Sequence, residues 1–380
     1  MSESIKVVLA AGGTGGHMFP AAALAGYLQK QGIGVALCTD KRGESFQLGG
    51  QAIPTCRLRA ASPSLYKNKV LRSVRAVVAM VLGTFQALFY LRRTRPAVVL
   101  GFGGYPAVPT CLAAVILRIP LLLHEQNAVL GRANQFLAKY AKYLATSFDK
   151  VHKINTAIPM RHTGNPVRAE IALLARDPYP PPTLDGKFHL LITGGSQGAR
   201  IFSRVVPEAI SLLPESLQKT LFISQQCRAE DIETVRKHYA GLGVSAELAT
   251  FISDMPARLK DSHLVICRSG ASTVAELTAS GKPSILVPFA AAMDDHQTAN
   301  ARALADAEAA WLMPQDAFQP EALAAKLEAY LTNPALLIAM AAKTKALGQP
   351  QAVEALGALV KEFVGGYNKT GKATKAEKAA

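Results

Sequence analysis

The sequence predicts an α/β protein made of two doubly wound domains, each with a parallel sheet covered by helices on both faces. Short apolar runs recur at helix-length spacing, and they are continuous rather than alternating, which is typical of strands buried on both faces. Two of these runs lead into glycine-rich turns, at residues 10–17 and 193–200. Two such turns predict two domains that share one ligand cleft.

The predicted strands divide between the two halves of the chain. The intervening stretches are long enough for helices, which favours parallel strands joined by crossover connections. In the first half the strands cover residues 5–11, 35–38, 98–101 and 121–123, and in the second half residues 190–193, 221–224, 264–267 and 284–287.

Breaks in the pattern predict the domain boundaries. Gly164, Asn165 and Pro166 end an N-terminal domain over residues 1–165, so the C-terminal domain covers residues 166–349. A final helix, residues 350–364, either completes the second domain or crosses back to the first. Because residues 368–380 are lysine-rich and lack apolar side chains larger than alanine, we expect a disordered basic tail over residues 365–380.

Composition and charge exclude several classes of protein. The five cysteines are scattered without a Cys-x-x-Cys pair, and the first residues lack a signal-peptide pattern, so we expect a reducing cytoplasm and no zinc cluster. Residues 1–165 contain 20 Lys and Arg against 5 Asp and Glu, whereas residues 166–380 contain 22 of each kind. The basic first half suits a phosphorylated substrate, an anionic membrane or nucleic acid.

Both glycine-rich turns predict phosphate or diphosphate as the ligand. Glycine lets the backbone approach an anion, and the N-terminus of the following helix offers unpaired N–H groups. Neither turn continues into the Lys-Ser/Thr of a P-loop, and Met18 stands where a dinucleotide fingerprint has its third glycine. A tight strand-to-helix connection without a ligand is the alternative.

Polar residues follow the predicted strands of the first half. His17 closes the first turn, before a helix that we expect to start at Pro20, and a helix N-terminus favours the neutral imidazole that a general base needs. Residues 124–127, His-Glu-Gln-Asn, follow a strand at its carboxyl end, where ligands bind in open α/β sheets. Tyr105 ends a glycine-rich segment in a similar position, although a plain loop is the alternative there.

The second half offers polar groups suited to a nucleotide sugar. Ser272 or Thr273 is predicted to cap the helix after the strand at 264–267, and Glu276 is placed to accept two hydrogen bonds from a ribose diol, with a surface cap as the alternative. Gln297 and Asn300 lie one helical turn apart and carry amides that suit sugar hydroxyls. No metal site is predicted.

An uncharged segment, residues 76–91, stands between basic flanks. Its sixteen residues are too few for a comfortable transmembrane span, which needs about 20 residues. Residues 67–95, the segment together with its basic flanks, therefore have two possible interpretations. They form either a core helix or a helix that lies at an anionic membrane surface.

Seven motifs together resemble the MurG family of peptidoglycan glycosyltransferases. They occur in order over nearly the whole chain up to the tail. Some of them are weak evidence for the family when taken alone, but the combination of all seven is specific. They are Gly-Gly-Thr-Gly-Gly-His (12–17), His-Glu-Gln-Asn (124–127), Gly-Asn-Pro-Val-Arg (164–168), Gly-Gly-Ser-Gln-Gly-Ala-Arg (194–200), Phe-Ile-Ser-Asp-Met (251–255), Arg-Ser-Gly-Ala-Ser-Thr-Val-Ala-Glu (268–276) and Asp-His-Gln-Thr-Ala-Asn-Ala (295–301).

The resemblance implies a GT-B fold, in which two Rossmann-like domains face a central cleft. It implies inverting transfer of N-acetylglucosamine from UDP-N-acetylglucosamine to the muramoyl 4-hydroxyl of lipid I, undecaprenyl-diphospho-muramoyl-pentapeptide, which yields lipid II and UDP. No cofactor, metal or nucleic acid is implied. The basic N-terminal domain would contact the cytoplasmic face of the inner membrane as a peripheral protein.

The resemblance also assigns roles to residues of this sequence. It favours His17 as the general base, with Glu125 or His124 in reserve. His296 and Ser272 replace a glutamine and a leucine of some relatives, so Gln297 is a better candidate than His296 for reading the sugar. The implied substrate-binding residues are Thr14, Gly15, Gly16, Tyr105, Asn127, Arg168, Ser196, Ile252, Ala271, Ser272, Thr273, Val274, Ala275, Glu276, Gln297 and Asn300.

Three other functions compete with this interpretation. A dinucleotide-dependent oxidoreductase would use Asp40 to hold a ribose, but the glycine pattern does not fit it. A UDP-sugar epimerase would share the fold without needing a lipid acceptor, so the basic first half speaks against it. A nucleic-acid-binding module would place stacking aromatic residues among the basic ones, and few are present.

Overall fold

The computed structural model describes residues 5–12, 15–41, 53–60, 69–183, 186–195 and 198–370. The chain forms two compact units. The N-unit comprises residues 1–168 and 351–380, and the C-unit comprises residues 169–350. Each unit contains one parallel sheet with helices on both faces.

The described strands form a seven-stranded sheet in the N-unit, in the order β3-β2-β1-β4-β5-β6-β7, and a six-stranded sheet in the C-unit, in the order β10-β9-β8-β11-β12-β13. All neighbouring strands run parallel, as the continuous apolar runs predicted. The strands are β1 (Ile5–Ala10), β2 (Gly34–Thr39), β3 (Thr55–Arg57), β4 (Val98–Gly101), β5 (Leu121–Glu125), β6 (Tyr143–Thr146), β7 (Met160–His162), β8 (Phe188–Thr193), β9 (Leu221–Gln226), β10 (Ser245–Ala249), β11 (Leu264–Cys267), β12 (Ser284–Leu286) and β13 (Trp311–Leu312).

Helices connect these strands and cover the sheets. The described helices are α1 (Gly15–Lys30), α2 (Lys69–Thr94), α3 (Val108–Ile116), α4 (Arg132–Ala138), α5 (Ala169–Leu173), α6 (Arg200–Ser211), α7 (Glu215–Gln218), α8 (Ile232–Gly241), α9 (Met255–Asp261), α10 (Ala271–Ser280), α11 (His296–Ala305), α12 (Pro320–Thr332), α13 (Pro334–Ala346) and α14 (Ala352–Thr370).

Alternate residues of β1 are buried on opposite faces of the N-unit sheet. Val7 and Leu9 pack in a core with Leu24 of α1, whereas Val8 packs in a second core with Leu91 of α2. Both faces of the strand are therefore apolar, which explains why the sequence shows no alternation there.

The last helix, α14, belongs to the N-unit. Leu356 and Leu359 are fully buried in the core that contains α1, and a side chain at Gly357 would clash with Tyr27, since its Cβ would lie 2.4 Å from the ring. The helix continues to Thr370, six residues beyond the predicted end of the final helix at residue 364. Residues 371–380 lie outside the described part of the chain.

Helix α2 presents apolar residues on two sides. Ala87 and Leu91 are buried in the N-unit core, and Gly83 lets the backbone of Arg59 approach, since a Cβ there would lie 2.1 Å from the Arg59 oxygen. The other side exposes 41–72% of each of six large apolar residues: Val77, Val78, Val81, Leu82, Phe85 and Phe89. By length and composition alone, residues 76–94 could cross a membrane.

Candidate active site

The loops after β1 and β4 pack tightly at the carboxyl end of the N-unit sheet. A Cβ on Gly12 would lie 2.2 Å from Pro106 Cβ, so only glycine allows this approach. Gly104, at a φ of 73°, faces His17 on α1, since a Cβ on it would lie 3.3 Å from His17 Cδ2. The glycine-rich turn and the Tyr105 loop therefore lie together, as the order of the strands requires.

Helix α1 begins earlier than the sequence predicted. Gly15 is its first residue, and Pro20 lies inside it rather than at its start, so the prediction of a start at Pro20 is wrong. His17 consequently lies in the first helical turn, where it is partly exposed. Gly15 is buried and Gly16 partly exposed, whereas Thr14 lies outside the described residues.

A line of hydrogen bonds joins His17 to the loop after β7. His17 Nδ1 lies 3.0 Å from Gln126 Oε1, and Gln126 Nε2 lies 3.0 Å from His124 Nδ1. The other ring nitrogen of His124, Nε2, lies 3.1 Å from the carbonyl oxygen of Gly164. Sequence reasoning missed Gln126, although it stands inside the His-Glu-Gln-Asn motif.

Glu125 holds the loop that follows β5. One carboxylate oxygen accepts from the backbone and side-chain N–H groups of Asn127, at 3.0 and 3.1 Å. The other accepts from the Gly131 backbone at 2.9 Å and from Asn134 Nδ2 at 2.8 Å. Since Glu125 is only 2% exposed and accepts these four hydrogen bonds, its carboxylate acts as a structural anchor.

His124 is fully buried. Burial lowers the pKa of His124 to about 4, because the charged imidazolium would lose its hydration. A side chain without exposed surface and with both nitrogens hydrogen-bonded cannot reach a substrate hydroxyl. Of the three candidate bases, His17 is partly exposed, whereas His124 and Glu125 are buried.

The second glycine-rich turn, after β8, is braced by Gln226 at the end of β9. Gln226 Oε1 accepts from Thr193 Oγ1 and from the backbone of Gly194, both at 3.1 Å, and Nε2 donates to the Gly195 carbonyl at 2.9 Å. Gly195 adopts a φ of 77°, which glycine tolerates best. Ser196 lies outside the described residues. Gln226 was missed by the sequence analysis, although a polar residue ending an apolar strand was the available signal.

The N-terminus of α10 has no side-chain cap. Gly270 is the N-cap residue, so the prediction that Ser272 or Thr273 caps this helix is wrong. Ser272 Oγ is buried with no hydrogen-bond partner among the described residues. Ala271 and Val274 are buried, whereas Thr273, Ala275 and Glu276 are partly exposed. The uncapped N–H groups leave this end of the helix suited to an anion or hydroxyl.

Gln297 and Asn300 bind neighbouring loops. Gln297 Oε1 accepts from the backbone N–H of Phe289 at 2.9 Å, and Asn300 Nδ2 donates to the Ser269 carbonyl at 3.1 Å. Asn300 is fully buried, whereas Gln297 is partly exposed. Before α11, Asp294 and Asp295 adopt φ values of 54° and 52°, a strained conformation for residues other than glycine.

Arg268 supports the loops after β11 and β12. It was quoted within a motif in the sequence analysis but was given no role of its own. Its guanidinium stacks between the rings of Phe202 and Phe289, 5.4 Å from each centroid, and donates to the Val287 and Pro288 carbonyls. These contacts tie the loop after β11 to the loop after β12.

Both halves of the chain match family models. Residues 7–146 match the glycosyltransferase family 28 N-terminal domain, and residues 189–356 match the glycosyltransferase family 28 C-terminal domain. The chain belongs to glycosyltransferase family 28. The predicted fold class, GT-B with two Rossmann-like α/β domains, is confirmed by these matches and by the structural relatives.

Named relatives of this glycosyltransferase share most of its length. The UDP-N-acetylglucosamine–N-acetylmuramyl-(pentapeptide) pyrophosphoryl-undecaprenol N-acetylglucosamine transferase of Rhodospirillum centenum is 50% identical over 92% of each chain. The protein of the same name from Paramagnetospirillum magneticum is 49% identical over 93% of this chain and 95% of its own. The resemblance to the MurG family is therefore confirmed.

Solved structures give the same result. Acinetobacter baumannii MurG superposes with a TM-score of 0.76 at 33% identity, covering 94% of this glycosyltransferase and 99% of its own chain. The UDP-GlcNAc 2-epimerase of Neisseria meningitidis has a TM-score of 0.62 at 15% identity, over 95% and 99% of the two chains, and so shares the fold alone.

The predicted site residues of the glycosyltransferase fall into two groups. The N-unit brings together Gly12, His17, the loop after β4 that contains Tyr105, and residues 124–126, and its first segment ends at the partly exposed Arg168. The C-unit holds the other group. The turn after β8 and the partly exposed Ile252 follow the carboxyl ends of strands, whereas the first turn of α10 and Gln297 lie on helices.

Proposed function

We propose that this glycosyltransferase moves N-acetylglucosamine from UDP-N-acetylglucosamine to the muramoyl 4-hydroxyl of lipid I, giving lipid II and UDP. The observation that carries the proposal is its identity of about one half, over nine-tenths of the chain, to transferases named for this reaction. An epimerase is disfavoured because its likeness is limited to the fold.

The C-unit is the donor-binding part in this proposal. The turn after β8 holds the diphosphate, and the first turn of α10 with Glu276 holds the ribose. Arg168, which belongs to the N-unit, is the other proposed diphosphate ligand. The N–H groups of α10, which no side chain caps, and the buried Ser272 Oγ, which has no hydrogen-bond partner among the described residues, support this assignment because both need a polar partner. Ser196 with the diphosphate, Ile252 with the uracil, and Gln297 with the sugar complete the proposed set. Asn300, predicted from the sequence to read the sugar, is fully buried and donates to the Ser269 carbonyl, so it supports the loop after β11 instead.

Catalysis is a single in-line displacement with inversion. His17 removes the proton from the acceptor hydroxyl, the oxygen attacks the anomeric carbon, and the bond from that carbon to the UDP oxygen breaks. The leaving group gains negative charge, which Arg168 and backbone N–H groups of the second glycine-rich turn stabilise. In this proposal Thr14, Gly15, Gly16, Tyr105 and Asn127 position the substrates.

The exposed face of α2 is the proposed membrane contact. Its six large apolar side chains form one stripe of the helix, and the exposed Arg92 and Arg93 lie at its end. Such a stripe is suited to the interface of an anionic bilayer, where the lipid-linked acceptor resides. The protein is then peripheral, at the cytoplasmic side of the inner membrane.

Acceptor dependence tests the proposed reaction. Purified full-length protein is incubated with UDP-N-acetylglucosamine, with and without a short-chain lipid I analogue, and UDP and free nucleotide sugars are quantified. We expect UDP release only when the analogue is present. Conversion of the donor to another UDP-sugar without acceptor would instead identify an epimerase.

A further inference from the structure

The Gly164 carbonyl determines which atoms donate and which accept along the line of hydrogen bonds from His17 to Gly164. A carbonyl oxygen can only accept, so His124 Nε2 must carry the proton that it shares with Gly164 over 3.1 Å. His124 is buried, and the burial that lowers its pKa to about 4 keeps it neutral. Its Nδ1 therefore carries a lone pair and accepts a hydrogen bond.

The lone pair on His124 fixes the orientation of the Gln126 amide. Gln126 Nε2 donates to His124 Nδ1 at 3.0 Å and also approaches the His124 carbonyl at 3.2 Å. If the amide were turned over, its oxygen would face two acceptors at once. The Gln126 oxygen consequently points toward His17 Nδ1, 3.0 Å away.

We propose that Gln126 is a positioning residue that holds the proton of neutral His17 on Nδ1 and leaves Nε2 as the proton-accepting atom. This inference rests on the proposed function, in which His17 is the base. Gly104 supports it, since a Cβ there would lie 3.4 Å from His17 Nε2, and a longer side chain would cover that nitrogen.

The line orients His17 but does not carry its proton onward. When the acceptor hydroxyl gives its proton to Nε2, His17 becomes an imidazolium whose Nδ1–H still donates to the Gln126 oxygen. That oxygen then stabilises the new positive charge, because a hydrogen bond from a charged donor is stronger than one from a neutral donor. The proton stays on His17 until solvent or buffer removes it.

Nitrogen NMR tests the tautomer without measuring activity. The full-length protein is labelled with ¹⁵N-histidine, and the His17 signals are assigned by their loss in His17→Gln. At a pH where His17 is neutral, we expect the protonated type of nitrogen at Nδ1 and the unprotonated type at Nε2. A proton mainly on Nε2, or an even mixture, would overturn the proposal.

Variants at Gln126 test its role in catalysis. Gln126→Leu should lower kcat at least about 10-fold, leave the donor Kd unchanged and give a mixture of His17 tautomers. Gln126→Glu keeps an acceptor toward His17 and, when protonated, a donor toward His124, so it should recover turnover and the Nδ1 proton. Gln135→Leu is the matched control, because the Gln135 side-chain amide donates to the Leu130 carbonyl in the same unit rather than to His17 or His124, so this variant should leave both readouts unchanged.

The outcomes separate this inference from the proposed function. If Gln126→Leu keeps the wild-type tautomer or turnover within 2-fold, Gln126 does not position His17. If the tautomer is as expected but His17→Ala retains full turnover, the hydrogen-bond line stands and His17 is not the base. If the wild-type protein transfers no sugar, the NMR result still decides the tautomer.

Discussion

At the scale of single residues, the members of the His-Glu-Gln-Asn motif have different roles. Glu125 holds the loop after β5, whereas Gln126 contacts His17, the proposed base. The sequence places four polar residues at the end of a strand, where they would be costly to bury without partners. The structure buries His124, Glu125 and Gln126 and supplies partners to each. Their position could be predicted from the sequence, but their division of roles depends on burial, which the motif does not reveal.

The loss of the His17 side chain should affect turnover more than donor binding. His17→Ala removes the proposed base, so we expect kcat to fall about 100-fold or more. Calorimetry with UDP-N-acetylglucosamine should give a donor Kd close to that of the wild type. Near-normal turnover in this variant would remove His17 from the mechanism.

The Glu125 carboxylate should matter for stability. Glu125→Gln replaces an oxygen that accepts hydrogen bonds with an NH₂ group that faces other donors, and leaving buried donors unpaired costs about 1–3 kcal/mol. Urea unfolding should show this loss of stability relative to Glu321→Gln, a change at an exposed position. Equal stability of the two variants would contradict the anchoring role.

Buried histidines should make the fold sensitive to acid. Burial lowers the pKa of both His124 and His263 from 6.5 to about 4. Between these values the unfolded chain binds more protons than the folded chain, so stability falls as the pH drops from about 6.5 to about 4. His124 alone contributes at most about 3 kcal/mol to this loss. Urea midpoints at pH 7 and pH 5 measure it, and identical midpoints would contradict it.

At the scale of secondary-structure elements, strand prediction succeeded where apolar runs were long. All eight predicted strands are present. The missed ones are short or lie at sheet edges, such as β3 with exposed Thr55 and β13 with two residues. In such strands too few apolar residues are buried to produce a pattern. The start of α1 was also misplaced, because glycine at 15 and 16 disfavours a helix that packing nevertheless stabilises.

The exposed stripe of α2 should bind anionic lipid. Phe85 is 65% exposed, so Phe85→Glu should lower binding to phosphatidylglycerol vesicles in a sedimentation assay without destabilising the fold. Leu212→Glu is the matched control, since Leu212 is 54% exposed in the C-unit. Equal vesicle binding by the two variants would place the membrane contact elsewhere.

At the scale of the whole molecule, the chain leaves the N-unit after residue 168 and returns to it at residue 351. The sequence left the destination of the final helix open, because an apolar helix face does not identify the surface that it covers. Packing decides the matter, since Leu356, Leu359 and Val360 are fully buried in the core that contains α1.

The returning helix should contribute strongly to the stability of the N-unit. Leu359→Ala creates a cavity in its core and should cost about 2–5 kcal/mol in the free energy of unfolding. Leu347→Ala, at a position that is 40% exposed, should cost much less. Urea unfolding of the two full-length variants measures the difference, and equal stabilities would mean that α14 is not held as described.

The central claim concerns the reaction of the complete chain, and analysis of its product tests that claim most directly. Full-length protein is given labelled UDP-N-acetylglucosamine and a lipid I analogue in the presence of EDTA, and the lipid product is isolated and examined by NMR. We predict N-acetylglucosamine in β linkage to the muramoyl 4-hydroxyl. An α linkage would contradict single displacement with inversion, and the absence of labelled lipid would contradict the proposed function.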